Sequence, residues 1–222
     1  MIFNIAKTLL LEIDVQNDFC PAYTSGGVHY PDGALAVHDG GSVVAPLNAL
    51  AGAFAASGGK VVLTQDWHPA RHSSFASGHE GKTSDAEGQV FWPDHCVQGL
   101  QGAAFHADLD LNPATLIIRK GFHKELDSYS AFFENDRKTF TGLDYWMRGL
   151  GIETVIIGGL ATDYCVFYSA MDSVSLGYTT IVASDAVRGV GYPSGSVEKA
   201  VATMKNVGIA FVTSPELLNG LQ

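Results

Sequence analysis

The chain has 222 residues, 46% of them apolar and 16% charged, with a formal net charge of −10. That length and mixture suit one α/β domain that buries its own core, without the bias of a disordered chain. Acidic residues outnumber basic ones and no basic run occurs. No stripe is therefore available to neutralise phosphates, which excludes a nucleic-acid-binding surface.

The opening stretch, MIFNIAKTLLLEIDVQND, is apolar, but Lys7 comes late in it and Glu12 and Asp14 interrupt it. Neither a secretory leader nor a membrane span is expected from it. Within it, Thr8–Ile13 reads as a strand. Residues 20–41 are rich in glycine, proline and tyrosine and read as irregular. A helix follows near Val43–Ala56, then a strand at Lys60–Thr64. Residues 66–113 are too long for a simple connection and read as a functional loop. Strands are then predicted at Thr115–Arg119, Thr154–Ile157, Thr179–Val182 and Ala210–Thr213. Helices are predicted near Gly142–Leu150, Val166–Leu176 and Ser196–Asn206. Gly58-Gly59, Gly151, Gly177 and Gly208 each fall between a helix and the next strand, where a helix C-terminus favours glycine. Strands alternating with helices predict a three-layer α/β/α domain over residues 1–222, its six-stranded sheet mostly parallel and covered on both faces.

Ligands of an open parallel sheet bind beyond the carboxyl ends of its strands. Asp14, Asp66, Lys120 and Cys165 follow the first four predicted core strands in turn. Each alone has a plain structural explanation; four complementary groups on one edge are harder to dismiss. Cys165, in GGLATDYCV, stands where a strand meets a helix. Unpaired N–H groups and the positive end of the helix dipole there would favour thiolate, whereas a buried cysteine filling space would be inert. Three distant cysteines, Cys20, Cys96 and Cys165, point to free thiols in a reducing cytoplasm.

The same edge carries a metal candidate. Asp66 and His68 are two apart, so an extended segment sends both side chains to one face. His72 follows four later, and His95 lies in WPDHC. One carboxylate with two or three imidazoles suits zinc, iron or manganese, although loop histidines are also commonly bonded to backbone.

The segments IDVQNDF, TQDWHPARHSSFA, WPDHCVQGLQGAAFH, IIRKGF with DSYSAFF, and IGGLATDYCV occur here in the order found in the nicotinamidases. These belong to the isochorismatase-like cysteine hydrolases, which the chain resembles from about Leu9 to Pro215. The resemblance implies the isochorismatase-like hydrolase fold and hydrolysis of nicotinamide in pyridine-nucleotide salvage. It implies Cys165 as nucleophile, Asp14 as general acid/base and Lys120 as the supporting cation. It assigns Asp66, His68 and His95 to one divalent metal, zinc first and iron or manganese as alternatives, with His72 as a further candidate. It implies a cis Leu160–Ala161 peptide, an oxyanion hole from the N–H groups of Ala161 and Cys165, and pocket walls from Phe19, Trp92, Tyr129, Ala161 and Tyr164. The partner is a small molecule, with no nucleic acid or membrane, and a homo-oligomer is compatible with it.

Two departures stand out. AYTSGGVHY (22–30) is inserted before PDGALAV, where it would alter the pocket mouth or subunit contacts. Glu12 occupies a strand position more often apolar. The competing readings are a related amidase for ureido or carbamoyl compounds, an isochorismatase, a metal-activated water with Cys165 structural, and a non-catalytic binding or redox-sensing domain.

Overall fold

The computed structural model describes residues 4–86 and 88–221; the first three residues of the apolar start lie outside them. The central strand is β1 (Thr8–Ile13), whose six residues are all buried. The other sheet strands are β4 (Lys60–Asp66), β5 (Leu116–Lys120), β6 (Thr154–Leu160), β7 (Thr179–Arg188) and β8 (Ala210–Val212). They run in the order β5-β4-β1-β6-β7-β8, every pairing parallel. Runs such as LLL and VIIGGL lack alternation because both faces of the sheet are covered.

Helices α1 (Val44–Ala56) and α5 (Ser214–Asn219) cover one face. There Leu47, Leu50 and Phe54 join Leu10, Leu63, Ile156 and Ile181. Helices α2 (Leu143–Gly149), α3 (Cys165–Ser175) and α4 (Ser196–Asn206) cover the other. There Met147, Val166, Ala170 and Met204 pack on Leu9, Leu11, Val155 and Ile157. From β1 the chain steps outward through β4 and β5, then returns to β6 and steps the other way. Connections diverge at β1 and β6, which opens a crevice at their carboxyl ends.

Several elements differ from the sequence expectation. β4 and β5 end on Asp66 and Lys120 themselves, so both side chains belong to the rigid sheet. β7 runs six residues beyond Val182, to Arg188, because it pairs again with β6 after an irregularity near Ile157 and Gly159. Gly159 has φ 116°, and a Cβ there would lie 2.1 Å from the Ile13 carbonyl oxygen, so only glycine lets β6 approach β1 this closely. α3 begins at Cys165, which is therefore its first residue. α5 was not predicted, although Thr213 and Glu216 form a capping box around Pro215.

The 22–30 insertion is a hairpin of β2 (Tyr23–Ser25) and β3 (Val28–Tyr30), joined by Gly26-Gly27, both with positive φ. Tyr23 stacks on Tyr30 and His106, donates to Asn17 Oδ1 at 2.7 Å and accepts from the Ala107 N–H at 2.8 Å. None of the insertion lines the pocket described below. No helix among the described residues is long and apolar enough to cross a membrane.

Candidate active site

Asp14 leaves β1 with φ 46°, a left-handed conformation that aspartate tolerates better than most residues. Its N–H donates to Thr64 Oγ1 at 3.1 Å, and the Thr64 hydroxyl donates to Asp14 Oδ1 at 2.6 Å. This clamp joins β1 to β4 and aims the other carboxylate oxygen at Lys120. The Lys120 ammonium, fully buried, lies 2.9 Å from Asp14 Oδ2 and 2.5 Å from Asp66 Oδ1. It also donates to the Ser128 carbonyl at 3.0 Å and meets Cys165 Sγ at 3.5 Å. Three strand ends and the start of α3 thus converge on one cation.

The charges follow from burial and these contacts. Burial works against the Lys120 ammonium, but Asp14 and Asp66 outweigh it and hold the pKa well above the ordinary range. Burial would raise Asp66, yet Lys120, His68 and His95 pull it below the usual carboxylate range. For Asp14 burial prevails, helped by the Asp66 charge; Lys120 and Thr64 offset only part of the rise. Burial also pushes the Cys165 thiol well above its ordinary value, with Lys120 opposing. At Cys165 a helix end and one cation favour thiolate but are set against desolvation beside two carboxylates. The sulfur thus sits next to a carboxyl group whose own proton affinity is raised by burial.

Asp66 faces two ways. While Oδ1 meets Lys120, Oδ2 lies 3.5 Å from His68 Nε2 and 3.8 Å from His95 Nε2. His68 Nδ1 donates to the Gly121 carbonyl at 2.9 Å, and His95 Nδ1 to the Pro93 carbonyl at 2.7 Å. Those bonds turn each Nε2 toward the same space; burial works against a charged His68, but Asp66 outweighs it and raises the His68 pKa. Burial and the neighbouring His68 lower the His95 pKa to about 4, keeping it a neutral donor. Asp66, His68 and His95 offer ligand atoms within 4.8 Å of one another, a donor set that fits a divalent ion.

His72 lies outside that trio but forms a second group of possible ligands with His68 and Asp127. Its ring is 4.5 Å from that of His68, but Nδ1 bonds to Ser74 Oγ at 2.7 Å and Nε2 to the His123 carbonyl at 2.9 Å. Both nitrogens are occupied by protein.

The pocket above this floor is walled by Phe19, Trp92, Tyr129, Ala161 and Tyr164, with Asp66, His95 and Cys165 at its base. All five predicted wall residues are brought together, and the Leu160–Ala161 peptide is cis. Asp14, Lys120 and His68 lie behind the lining.

Sequence reasoning missed several contributors. Leu35 and Val190 complete the walls, Val190 being tethered by its N–H to Asp163 Oδ1 at 2.9 Å. Asp127 also lines the pocket, with Oδ1 4.0 Å from His68 Nε2. Gln16 pairs its carboxamide with both the N–H and the carbonyl of Asp66, each at 2.8 Å, fixing the shared carboxylate from behind. Gln16 lay in plain view in IDVQNDF, but its partner is fifty residues away, so no local pattern revealed it.

The isochorismatase domain family matches residues 8–216. A nicotinamidase from Acinetobacter baylyi is 42% identical over 215 residues, covering 94% of each chain. The structure of a nicotinamidase/pyrazinamidase from Acinetobacter baumanii superposes with a TM-score of 0.85 at 44% identity, covering 96% of this chain and 98% of that one. A Pyrococcus horikoshii pyrazinamidase, solved in complex with zinc, superposes with a TM-score of 0.73 at 33% identity, covering 93% and 99%.

Proposed function

Because the chain belongs to the isochorismatase domain family, and within it to the nicotinamidases, we propose that it hydrolyses nicotinamide to nicotinate and ammonia through a thioester on Cys165. The observation that carries this reading is the single buried lysine touching Asp14, Asp66 and Cys165 at once, beneath an aromatic-walled pocket.

In the first half-reaction the Cys165 sulfur attacks the carboxamide carbon as its proton passes to Asp14. The raised proton affinity of Asp14 suits it to this transfer, and a buried thiol is deprotonated only as the C–S bond forms. The N–H groups of Ala161 and Cys165 receive the developing oxyanion; Cys165 opens α3, where an N–H has no partner within the helix. The C–N bond then breaks, and Asp14 returns its proton to the departing nitrogen. In the second half-reaction Asp14 takes a proton from water as the water oxygen attacks the thioester. The C–S bond breaks, the thiol regains its proton and the acid leaves. Throughout, Lys120 keeps the two carboxylates from destabilising each other.

Asp66, His68 and His95 would hold a divalent metal, zinc first, which when bound supplies a ligand position for the pyridine nitrogen. Phe19, Trp92, Tyr129 and Tyr164 sandwich the ring and exclude water. Three buried free thiols fit a reducing cytoplasm as the working compartment.

Ammonia release from nicotinamide by the purified, metal-loaded protein tests the proposal. Stoichiometric nicotinate and ammonia are expected. No release from nicotinamide, with turnover of a ureido or carbamoyl compound instead, would overturn the substrate while keeping the site.

A further inference from the structure

The His95 ring is bonded to its own turn, through Nδ1 to the Pro93 carbonyl at 2.7 Å. Nε2 therefore points wherever the 93–96 turn points, and whatever anchors that turn sets the direction. The next residue, Cys96, is fully buried and has φ 47°, a left-handed conformation that a side chain disfavours and that its surroundings must enforce.

Both backbone groups of Cys96 are engaged. Its carbonyl accepts the His68 N–H at 3.0 Å, and the Gln98 N–H donates to the His68 carbonyl at 2.9 Å. This bridge ties the turn to the other histidine of the trio. The second anchor comes from 78 residues earlier: the Cys96 N–H, in the peptide that joins it to His95, donates to Asp18 Oδ2 at 2.6 Å. Asp18 Oδ1 accepts the Ala34 N–H at 3.2 Å. Both partners are donors, so both oxygens must accept, which a carboxylate does and a carboxamide cannot.

Gly102 closes over this carboxylate. A Cβ there would lie 2.0 Å from Asp18 Oδ2 and 2.2 Å from the carboxyl carbon, so any larger residue must push the acid away. Asp18 belongs to IDVQNDF and Gly102 to WPDHCVQGLQGAAFH. The first motif gives the site Asp14 and Phe19, the second Trp92 and His95; Asp18 and Gly102 lock the two together.

We propose that Asp18 is a positioning residue for the metal seat, its carboxylate holding the His95 turn so that Nε2 faces Asp66 and His68, with Gly102 keeping that carboxylate in place. Asp18 acts through the Cys96 peptide and is not a ligand. The inference rests on the reading of Asp66, His68 and His95 as a divalent-metal seat, and on nothing about which amide is hydrolysed.

The zinc-loaded protein is titrated with a chromophoric chelator at neutral pH. Asp18→Ala is expected to weaken zinc binding about 10- to 100-fold, the usual cost of losing a group that orients a ligand. Asp18→Asn keeps the shape but offers one acceptor for two donors, so a loss of about three- to tenfold is expected. Gly102→Ala leaves the acid present but displaced and should weaken zinc about tenfold; added to Asp18→Ala it should cost nothing more. Leu50→Ala removes buried packing on α1, away from the turn, and should leave zinc affinity within about twofold.

The visible bands of the cobalt(II)-loaded protein report ligand geometry, and they should shift in Asp18→Ala. Unchanged zinc affinity or unchanged cobalt bands in Asp18→Ala would overturn the proposal. So would an equal loss of affinity in Leu50→Ala, which would make the effect general loosening. Should Asp18→Ala fail to fold, wild-type affinity in Asp18→Asn would overturn it instead. A wild type that binds no zinc, iron(II) or manganese(II) would reject the metal reading and this role with it. A zinc-binding wild type matched by Asp18→Ala would reject the role of Asp18 alone.

Discussion

Glu12 and Asp14 lie two residues apart at one end of the same central strand, and both are buried. Asp14 meets a hydroxyl donor from Thr64 and the Lys120 ammonium. Glu12 pairs in register with Leu63 and Gly158, and neither carboxylate oxygen has a hydrogen-bond partner among the described residues. Burial pushes both carboxyl groups up, Glu12 to about 8, with the Asp110 charge adding to the rise. The difference lies in what opposes burial. A cation and a hydroxyl let Asp14 exchange a proton with neighbours, whereas Glu12, lacking either, is a neutral acid at pH 7. Burial raises proton affinity at both positions, but only local partners turn that into chemistry.

The largest effect should come from removing the group that Asp14 serves. Cys165→Ala is expected to lower turnover by at least about 10⁴-fold while thermal unfolding and metal content stay near wild type. A variant with near-normal kcat would remove the covalent route and leave the comparison with Glu12 without its catalytic meaning.

Lys120→Met makes the Asp14 end resemble the Glu12 end. Two buried carboxylates lose their counter-charge, so a stability loss of about 3–5 kcal/mol in urea unfolding is expected, with kcat reduced about 10³-fold. Cys165 should alkylate more slowly at neutral pH, since Lys120 is what opposes burial of its charge. Wild-type alkylation rates would show that the lysine does not tune the sulfur.

Glu12 offers the complementary test. Its folded-state pKa is raised above that of the unfolded chain, so its stabilising contribution is complete below about pH 4.5 and is lost as pH rises through about 8. Between pH 5 and 8 this group should cost the wild type about 4 kcal/mol relative to Glu12→Met. Parallel stability–pH curves for the two proteins would mean that Glu12 ionises freely in the fold.

The smallest effect concerns the far side of Asp66. Benzamide keeps the carboxamide and shape of nicotinamide but lacks the ring nitrogen, so its kcat/KM should be at least about tenfold lower, about 1.4 kcal/mol. Stripping the metal should erase most of that preference. Equal kcat/KM for the two amides in the metal-loaded enzyme would assign the ion a structural role.

How much was legible follows from the range of each cause. Strand and helix identities, the parallel sheet and the gathering of Asp14, Asp66, Lys120 and Cys165 on one edge were determined by the sequence, because apolar runs and glycine stops act within a few residues. The order of motifs also carried the family. Boundaries were less legible where a polar residue closes a buried strand, as at Asp66, Lys120 and Arg188, since side-chain polarity hides a backbone that tertiary pairing keeps extended.

The protonation of the centre was decided only by the tertiary structure. A cysteine at a helix start reads as activated until its burial beside two carboxylates is known, and the bonds of His72 to Ser74 and the His123 carbonyl have no trace in the sequence. The Gln16 clasp on Asp66 and the isolation of Glu12 belong to the same class. Each depends on the distance and orientation of groups far apart in the chain, and hydrogen bonds and desolvation act through space, where a one-dimensional pattern has no coordinate.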